Sequence, residues 1–136
     1  MNTAADNLYD VIVVGTGPIG LSVADRARAA RLSVAAVERE LVGGECSYWA
    51  CIPSKAMLRP VVAVADADRV EGARQGISGP IDAAAVFKRR DGYVADWHDD
   101  GPADGLKSMG IELVRGHGRL KAPRPNAHGR AQRATL

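Results

Sequence analysis

The 136-residue sequence lacks the features that mark several common protein classes. It contains no run of the roughly 20 apolar residues that span a bilayer, so we expect no membrane segment. Residues 1–10 contain two aspartates and no lysine or arginine, so they lack the basic region of a secretory signal. We therefore expect a cytoplasmic protein. In that reducing compartment, cysteines are more often catalytic or metal-binding than structural.

Cysteine and histidine are scarce, with two cysteines and three isolated histidines. A zinc site takes about four ligands, and no histidine or further cysteine is spaced to join Cys46 and Cys51. We predict no metal site. Residues 113–136 carry six basic and no acidic side chains, but they also lack the aromatic residues that stack on bases. We therefore expect no nucleic-acid partner, and we interpret residues 123–136 as an irregular basic tail.

The remaining sequence alternates strands and helices. Residues 9–15, "YDVIVVG", are typical of a buried strand because they are almost continuously apolar and β-branched. "PIGLSVADRARAARL" predicts a helix beginning at Pro18 that packs through Ile19, Val23, Ala27 and Ala30. "SVAAVE" and "IELVRG" predict two more strands. This order predicts an α/β fold, a Rossmann-like βαβ unit with a parallel sheet.

Three further helices are expected between the second and third strands. Residues 54–72 predict a helix with a break near Pro60. A short helix is expected between Pro102 and Gly110. Residues 82 to about 100 predict an amphipathic helix, whose apolar stripe we assign to the core. The stripe consists of Val86, Phe87, Tyr93, Val94 and Trp97.

A glycine-rich motif joins the first predicted strand to the first predicted helix. It consists of Gly15, Thr16, Gly17, Pro18, Ile19 and Gly20. In a dinucleotide site Gly15 permits the tight turn, Gly17 lets a pyrophosphate approach the backbone, and Gly20 lets the helix pack closely on the strand. The N-terminus of the helix then donates N–H groups to phosphates. The motif therefore predicts a dinucleotide site.

An acidic residue supports this interpretation, because Glu38 closes the second predicted strand, 18 residues after Gly20. An acid at that position accepts hydrogen bonds from ribose hydroxyls. Glu38 therefore favours a ribose with free hydroxyls, while the neighbouring Arg39 leaves a 2′-phosphate as the lesser alternative. The motif alone does not distinguish FAD from NAD.

The two cysteines lie in "GGECSYWACIPSK", residues 43–55. Positions five apart on a regular helix are about 140° apart around the axis, so the sulfurs can meet only if the backbone is distorted. We expect Pro53 to supply the distortion by freeing the carbonyl of Trp49. Lys55 can face Cys51 and favour a reactive thiolate. The alternative is a pair of buried, unreactive cysteines.

With these residues in this order, the chain resembles the FAD-dependent pyridine nucleotide-disulfide oxidoreductases, the family of dihydrolipoamide dehydrogenase, glutathione reductase and mercuric reductase. Residues 43–55 are similar to the family's redox-active disulfide site, and "CIPSK" is most similar to the dihydrolipoamide dehydrogenase branch. The resemblance covers about residues 1–122. It implies the N-terminal part of a FAD-binding domain that bears a redox-active disulfide, an incomplete Rossmann-like domain.

The resemblance also implies roles for single residues. Cys51 would lie beside the flavin, Cys46 would exchange with a disulfide substrate, and Lys55 would lie near flavin N5. Glu38 would bind the adenosine ribose, and the backbone of His117 and Gly118 would contact adenine. The remaining residues matched to the cofactor site are Arg39, Gly44 and Glu45. Glu45 stands where threonine is usual in the family.

These matches imply a flavoprotein oxidoreductase segment that transfers electrons between NAD(P)H, FAD and a Cys46–Cys51 disulfide. The substrate would be a small-molecule or protein disulfide. NAD(P) binding, a second GxGxxG and a homodimer belong to full-length family members, and the second motif is not in this sequence. We therefore expect this chain alone to bind FAD weakly and not to turn over NAD(P)H. The alternative is a non-catalytic nucleotide-binding remnant or interaction module.

Overall fold

The computed structural model describes residues 8–120 and 134–135, which divide into two compact units. Among the described residues, the first unit comprises residues 8–44 and those from Asp99 onward, and the second comprises Glu45–His98. The elements are β1 (Leu8–Tyr9), β2 (Val11–Val14), α1 (Pro18–Ala29), β3 (Val34–Glu38), α2 (Gly44–Tyr48), α3 (Cys51–Asp68), α4 (Ala83–Tyr93), α5 (Asp100–Ser108), β4 (Glu112–Arg115) and β5 (Ala134–Thr135).

The first unit is built on a parallel sheet with the strand order β2-β3-β4. Every residue of the central strand β3 is buried, as expected for a strand paired on both edges and covered by helices. Apolar side chains from the sheet, α1 and α5 form one core, which contains Val13, Ala24, Ala27, Val34, Ala36, Val42, Leu106 and Ile111. The predicted α/β fold with a Rossmann-like parallel sheet is confirmed.

Helix α1 begins at Pro18, as predicted, but it packs through a different face. The buried residues are Ala24 and Ala27, whereas Ile19 is 79% exposed and Val23 is also exposed. Ala30 lies beyond the helix and is exposed. The predicted face is therefore wrong apart from Ala27. Small side chains let the helix approach the sheet closely, so Ile19 and Val23 remain on the outside while Leu21 packs partly against the core.

A short two-stranded antiparallel pair adds to this unit, in which Leu8 pairs with Thr135 and Tyr9 with Ala134. The buried Tyr9 donates its hydroxyl hydrogen bond to Glu112 at the start of β4. This bond, burial and the negative charge of Glu112 together raise the pKa of Tyr9 to about 12.

Residues 123–133 and 136 of the predicted basic tail lie outside the described residues.

The second unit is helical, and α3 is longer than predicted. It continues through Pro60 to Asp68, so the predicted break is wrong. A proline removes one backbone hydrogen bond. The residues on either side keep their helical conformation, so one missing bond does not end the helix.

Helix α4 is shorter than predicted. The carboxylate of Asp82 accepts hydrogen bonds from the N–H groups of Ala84 and Ala85 at 2.9 and 3.3 Å and caps its start. The helix ends at Tyr93, and residues 95–97 then adopt a left-handed backbone, with φ between 49° and 59°. The single helix predicted from residue 82 to about 100 therefore ends at Tyr93 and is followed by a turn.

The aromatic stripe predicted for this helix does not form a core. Val94 is buried, but Phe87, Tyr93 and Trp97 are 50%, 57% and 36% exposed. Arginine side chains cover these rings instead. The guanidinium of Arg90 lies 5.2 Å from the ring centroid of Phe87 and 5.3 Å from that of Trp97, and Arg89 lies 4.7 Å from that of Tyr93. Cation–π contacts and the aliphatic stems of the arginines thus stabilise the stripe at the surface.

Candidate functional site

The glycine-rich turn brings β2 and α1 together. Gly15 has φ +93°, a left-handed conformation that favours glycine, and its N–H donates to the carbonyl of Val37 at 2.8 Å. A Cβ atom added to Gly20 would lie 2.0 Å from the carbonyl oxygen of Gly15. No side chain fits there, so Gly20 is required for the close contact between helix and strand.

Gly17, unlike Gly20, has open space where a side chain would lie. It precedes α1 with φ −64°, and an added Cβ would have no described atom within 4 Å. Among the described residues no side chain caps α1 at this position, so no capping hydrogen bond occupies the first N–H groups of the helix. Pro18 and Ile19 are exposed beside them. The arrangement can accept an anion at the N-terminus of α1.

Residues 39–44 follow β3 and pack against the glycine-rich turn. The N–H of Gly43 donates to the carbonyl of Thr16 at 2.9 Å. Gly44 has φ +60°, and an added Cβ would lie 3.0 Å from the Cα of Gly17. Gly44, which the family resemblance assigned to the cofactor site, therefore contacts the turn directly through its backbone.

Glu38, at the end of β3, is 8% exposed and bound to the same turn. Its Oε2 atom accepts hydrogen bonds from the N–H and the hydroxyl of Thr16 at 2.8 and 2.7 Å, and its Oε1 atom accepts one from the N–H of Glu40 at 2.9 Å. Burial alone would raise the pKa of this carboxyl, but the Thr16 hydroxyl and the backbone N–H groups outweigh it and lower the pKa. Glu38 is therefore an ionised acceptor, held in a fixed position.

A cavity of about 160 Å³ opens at the carboxyl ends of the three parallel strands. It is lined by Val14, Gly15, Val37, Glu38, Arg39, Gly116, His117 and Gly118. A Cβ on Gly118 would lie 2.9 Å from the Cγ1 of Val14, so this residue lies tightly on the strand ends. His117 is exposed, and Arg39 forms an exposed ion pair with Glu40 at 3.0 Å. The fold thus places Glu38, Arg39, His117 and Gly118 around one cavity, at the usual ligand position of open α/β sheets.

The cysteine pair lies in the second unit, where the helical backbone is interrupted. Helix α2 ends at Tyr48 and α3 begins at Cys51, while Ala50 has φ −121° and ψ −86°. Both Cys46 and Cys51 are free, half-buried thiols, and the two side chains are joined by a hydrogen bond. The predicted distortion is present, and it brings the sulfur atoms together.

Pro53, which cannot donate to the carbonyl of Trp49, lies just after this interruption, and its predicted role in the distortion stays a prediction. The interruption falls at Trp49 and Ala50, whose N–H groups both donate to the carbonyl of Glu45, at 2.9 and 2.7 Å. Pro53 is buried in the first turn of α3, where a helix has no need of its N–H. The backbone carbonyl of the exposed residue Glu45 therefore accepts both N–H groups at the bend.

The hydrogen bond to Cys51 is the main reason that the pKa of the Cys46 thiol is raised, and burial and the charge of Cys51 act in the same direction. Lys55, an exposed residue of α3, opposes this effect and lowers the pKa of Cys46, but it does not overcome it. The expected influence of lysine is therefore present but is outweighed at Cys46. The Cys46 thiol therefore keeps its proton to a higher pH than a cysteine of ordinary pKa.

Two residues near this cavity could not be predicted from the sequence. The Oδ2 atom of Asp99 accepts hydrogen bonds from the N–H of Val42 at 2.6 Å and from Nη1 of Arg115 at 2.7 Å. The same Nη1 also donates to the carbonyl of Glu40 at 2.9 Å. No local signal could have found this pair, because its contact depends on β4 lying beside β3. Within the described part of the chain, no group of three His, Cys, Asp or Glu side chains is placed to bind a metal ion.

Comparison with known proteins places these features in one family. Residues 9–118, more than half of the chain, match the family model described as pyridine nucleotide-disulphide oxidoreductase. The chain is similar to a dihydrolipoyl dehydrogenase of Thermus scotoductus, with 40% identity over 116 residues that cover 85% of this chain and 25% of that protein. It is also similar to a mercuric reductase of Staphylococcus aureus, with 34% identity over 82% of this chain and 20% of that protein. The chain thus spans a quarter or less of these relatives.

The fold has a solved counterpart as well. The HOCl-induced flavoprotein disulfide reductase RclA of Escherichia coli, solved as a Cu(II) complex, superposes with a TM-score of 0.59 at 22% identity. The match covers 80% of this chain and 22% of the reductase. Among the described residues, no helix combines the length and apolar character needed to cross a membrane. On the extent of the family match, the chain belongs to the pyridine nucleotide-disulphide oxidoreductase family.

Proposed function

We propose that this chain supplies the FAD-binding and dithiol part of a flavin-dependent disulfide oxidoreductase of the dihydrolipoamide dehydrogenase kind. The observation that carries the proposal is the interrupted helix that joins the Cys46 and Cys51 thiols by a hydrogen bond. Buried structural cysteines do not need such a contact, whereas a redox pair must be able to close into a disulfide.

The first unit supports binding of the adenosine diphosphate half of FAD. The N-terminus of α1 at Gly17 presents N–H donors that no described side chain caps, and such donors suit a pyrophosphate. Glu38 is an ionised acceptor suited to ribose hydroxyls. The cavity of about 160 Å³ is smaller than the roughly 300 Å³ of a small ligand pocket, which fits one part of a cofactor rather than the whole.

The cysteines carry the proposed exchange with substrate. When FAD is bound and has been reduced by NADH or NADPH, it would supply the two electrons that, with two protons, convert the Cys46–Cys51 disulfide to two thiols. The Cys46 thiolate then attacks one sulfur of the substrate disulfide, which breaks the substrate S–S bond, forms a mixed disulfide and releases the first substrate thiol. The Cys51 thiolate next attacks Cys46, releases the second substrate thiol and restores the protein disulfide.

The proton held on Cys46 controls the first step, because the thiolate and not the thiol is the nucleophile. Lys55 lowers the pKa of Cys46 and so favours its loss of a proton. In this proposal Cys51 is the thiol beside the flavin, and Lys55 lies near its reactive edge. The raised pKa of Cys46 predicts that exchange is faster in alkaline solution.

The remaining parts of the activity extend beyond the matched segment. We assign hydride supply to NADH or NADPH bound elsewhere in a full-length protein, the substrate to the disulfide class, and the assembly to a homodimer, by analogy with the relatives. We place the protein in the cytoplasm, where the dithiol can be kept reduced. Residues 1–122 would be the N-terminal part of the FAD domain, and residues 123–136 a basic tail.

The test is disulfide formation, followed by mass spectrometry with and without a thiol-alkylating reagent. After mild oxidation, the unsubstituted chain should resist alkylation and lose the mass of a pair of hydrogens. Cys46→Ser and Cys51→Ser are the matched controls, because each retains one thiol and should remain open to alkylation. If both thiols of the oxidised chain are still alkylated, the redox proposal is wrong and a non-catalytic nucleotide-binding module becomes the better account.

A further inference from the structure

We propose that Asp99 and Arg115 position residues 40–44 for nucleotide binding. These residues follow β3, and we call them the loop. We call this pair the Asp99–Arg115 clamp; its role rests on the proposed function of the first unit. The two residues do not line the nucleotide cavity. They would act on the ligand through the loop, as positioning residues.

The clamp contacts the loop at two points. The buried Asp99 accepts the N–H of Val42 at 2.6 Å, and Val42 is itself fully buried. Arg115 donates from one nitrogen both to Asp99 and to the carbonyl of Glu40. The loop is therefore anchored by both a donor and an acceptor of its own backbone.

The anchored loop in turn contacts both parts of the nucleotide site. The N–H of Glu40 donates to Glu38, the residue assigned to the ribose. Gly43 donates to the carbonyl of Thr16, and Gly44 lies against Gly17 in the turn assigned to the pyrophosphate. A shift of residues 40–44 would therefore disturb the ribose acceptor and the phosphate turn together.

The electrostatics of the clamp favour an ionised aspartate. Burial alone would raise the pKa of Asp99, but the hydrogen bond and charge of Arg115, with the N–H of Val42, lower it instead. Removing Arg115 would leave a buried carboxylate without its cation. The Asp99 side chain would then turn toward water, and Val42 would lose its acceptor.

The test compares Arg115→Met with Arg119→Met, a control that removes an exposed arginine from the same part of the chain. ADP is the probe, and its affinity is measured by calorimetry at neutral pH. We expect Arg115→Met to weaken ADP binding by about tenfold and Arg119→Met to leave it unchanged. Arg115→Lys, which keeps a cationic donor, should recover part of the loss.

Amide hydrogen exchange separates positioning from general destabilisation. In Arg115→Met without ligand, exchange should accelerate at Val42 and Gly43, while the amides of β2 and β3 remain protected. Uniform acceleration over the whole sheet would overturn the clamp, because it would indicate a purely structural role.

Two outcomes of the ADP titration separate this inference from the proposed function. Equal ADP affinity in Arg115→Met and the unsubstituted chain would overturn the clamp and leave the proposed function standing. Failure of the unsubstituted chain to bind ADP would overturn the nucleotide site itself, and the role of the clamp with it.

Discussion

Substitution of Gly20 by alanine should destabilise the first unit strongly, because the new methyl group has no room. The added Cβ would lie 2.0 Å from the carbonyl oxygen of Gly15 and 3.2 Å from the Cγ1 of Val13. An ordinary contact begins at 3.4 Å, so the helix would have to move by roughly 1.4 Å from the strand. The closest obstacle is backbone, which cannot rotate away as a side chain could.

The expected cost follows from overpacking a core. Extra methyl groups in well-packed positions usually cost about 1–3 kcal/mol, and a backbone obstacle places Gly20→Ala at about 3 kcal/mol or more. The free energy of unfolding is measured by urea denaturation, followed by circular dichroism. Since small domains are stable by only about 5–15 kcal/mol, a change of this size is easily resolved.

Gly17→Ala is the matched control, three residues away in the same motif. Its Cβ would have no described atom within 4 Å, and φ −64° suits alanine. We expect its free energy of unfolding to be unchanged or raised by up to about 1 kcal/mol. A Gly20→Ala protein within about 0.5 kcal/mol of the unsubstituted chain would refute the packing argument.

Three further predictions concern titrating groups. Tyr9→Phe should lower the free energy of unfolding by about 1 kcal/mol at neutral pH, because it removes the hydrogen bond to Glu112. The pKa of Tyr9 is raised from 10.0 to about 12, so the difference between the two proteins should disappear as pH rises from 10 to about 12. Urea denaturation at several pH values measures this. Cys51→Ala should speed alkylation of Cys46 at neutral pH, because the hydrogen bond that raises the pKa of Cys46 is removed. A slower rate would show that Cys51 does not raise the pKa of Cys46. Because the pKa of Glu38 is lowered in the folded chain, the ionised side chain raises the free energy of unfolding above its unfolded pKa of about 4.3. That contribution is lost as pH falls and the carboxylate is protonated. Glu38→Gln should therefore lose less stability than the unsubstituted chain when urea midpoints are compared at pH about 5 and 3.

The sheet and the glycine-rich turn could be predicted because their signals are local. β3 is buried at every residue, so its sequence is almost uniformly apolar, and the three glycines of the turn stand at fixed spacing. Gly20 illustrates the strength of this signal, since its role in close packing follows from the motif and appears as the 2.0 Å contact.

Helix faces and long-range pairs could not be predicted in the same way. Hydrophobicity favoured Ile19 as a core residue, but close approach of helix and strand buries Ala24 instead. Phe87 lies at the surface with the guanidinium of Arg90 over its ring, whereas the apolar stripe in the sequence predicted that Phe87 would be in the core. Tertiary contacts decide such choices, and single-sequence patterns carry little information about them.

Binding of the adenosine diphosphate half of FAD by the first unit is tested by a fluorescence titration of the chain with FAD, with ADP and FMN as competitors. If the first unit binds this half of the cofactor, ADP should displace FAD, and FMN should not. Gly17→Val, whose side chain would occupy the approach of the pyrophosphate, should bind FAD at least tenfold more weakly while keeping its fold. Displacement of FAD by FMN but not by ADP, or unchanged binding in Gly17→Val, would contradict the account.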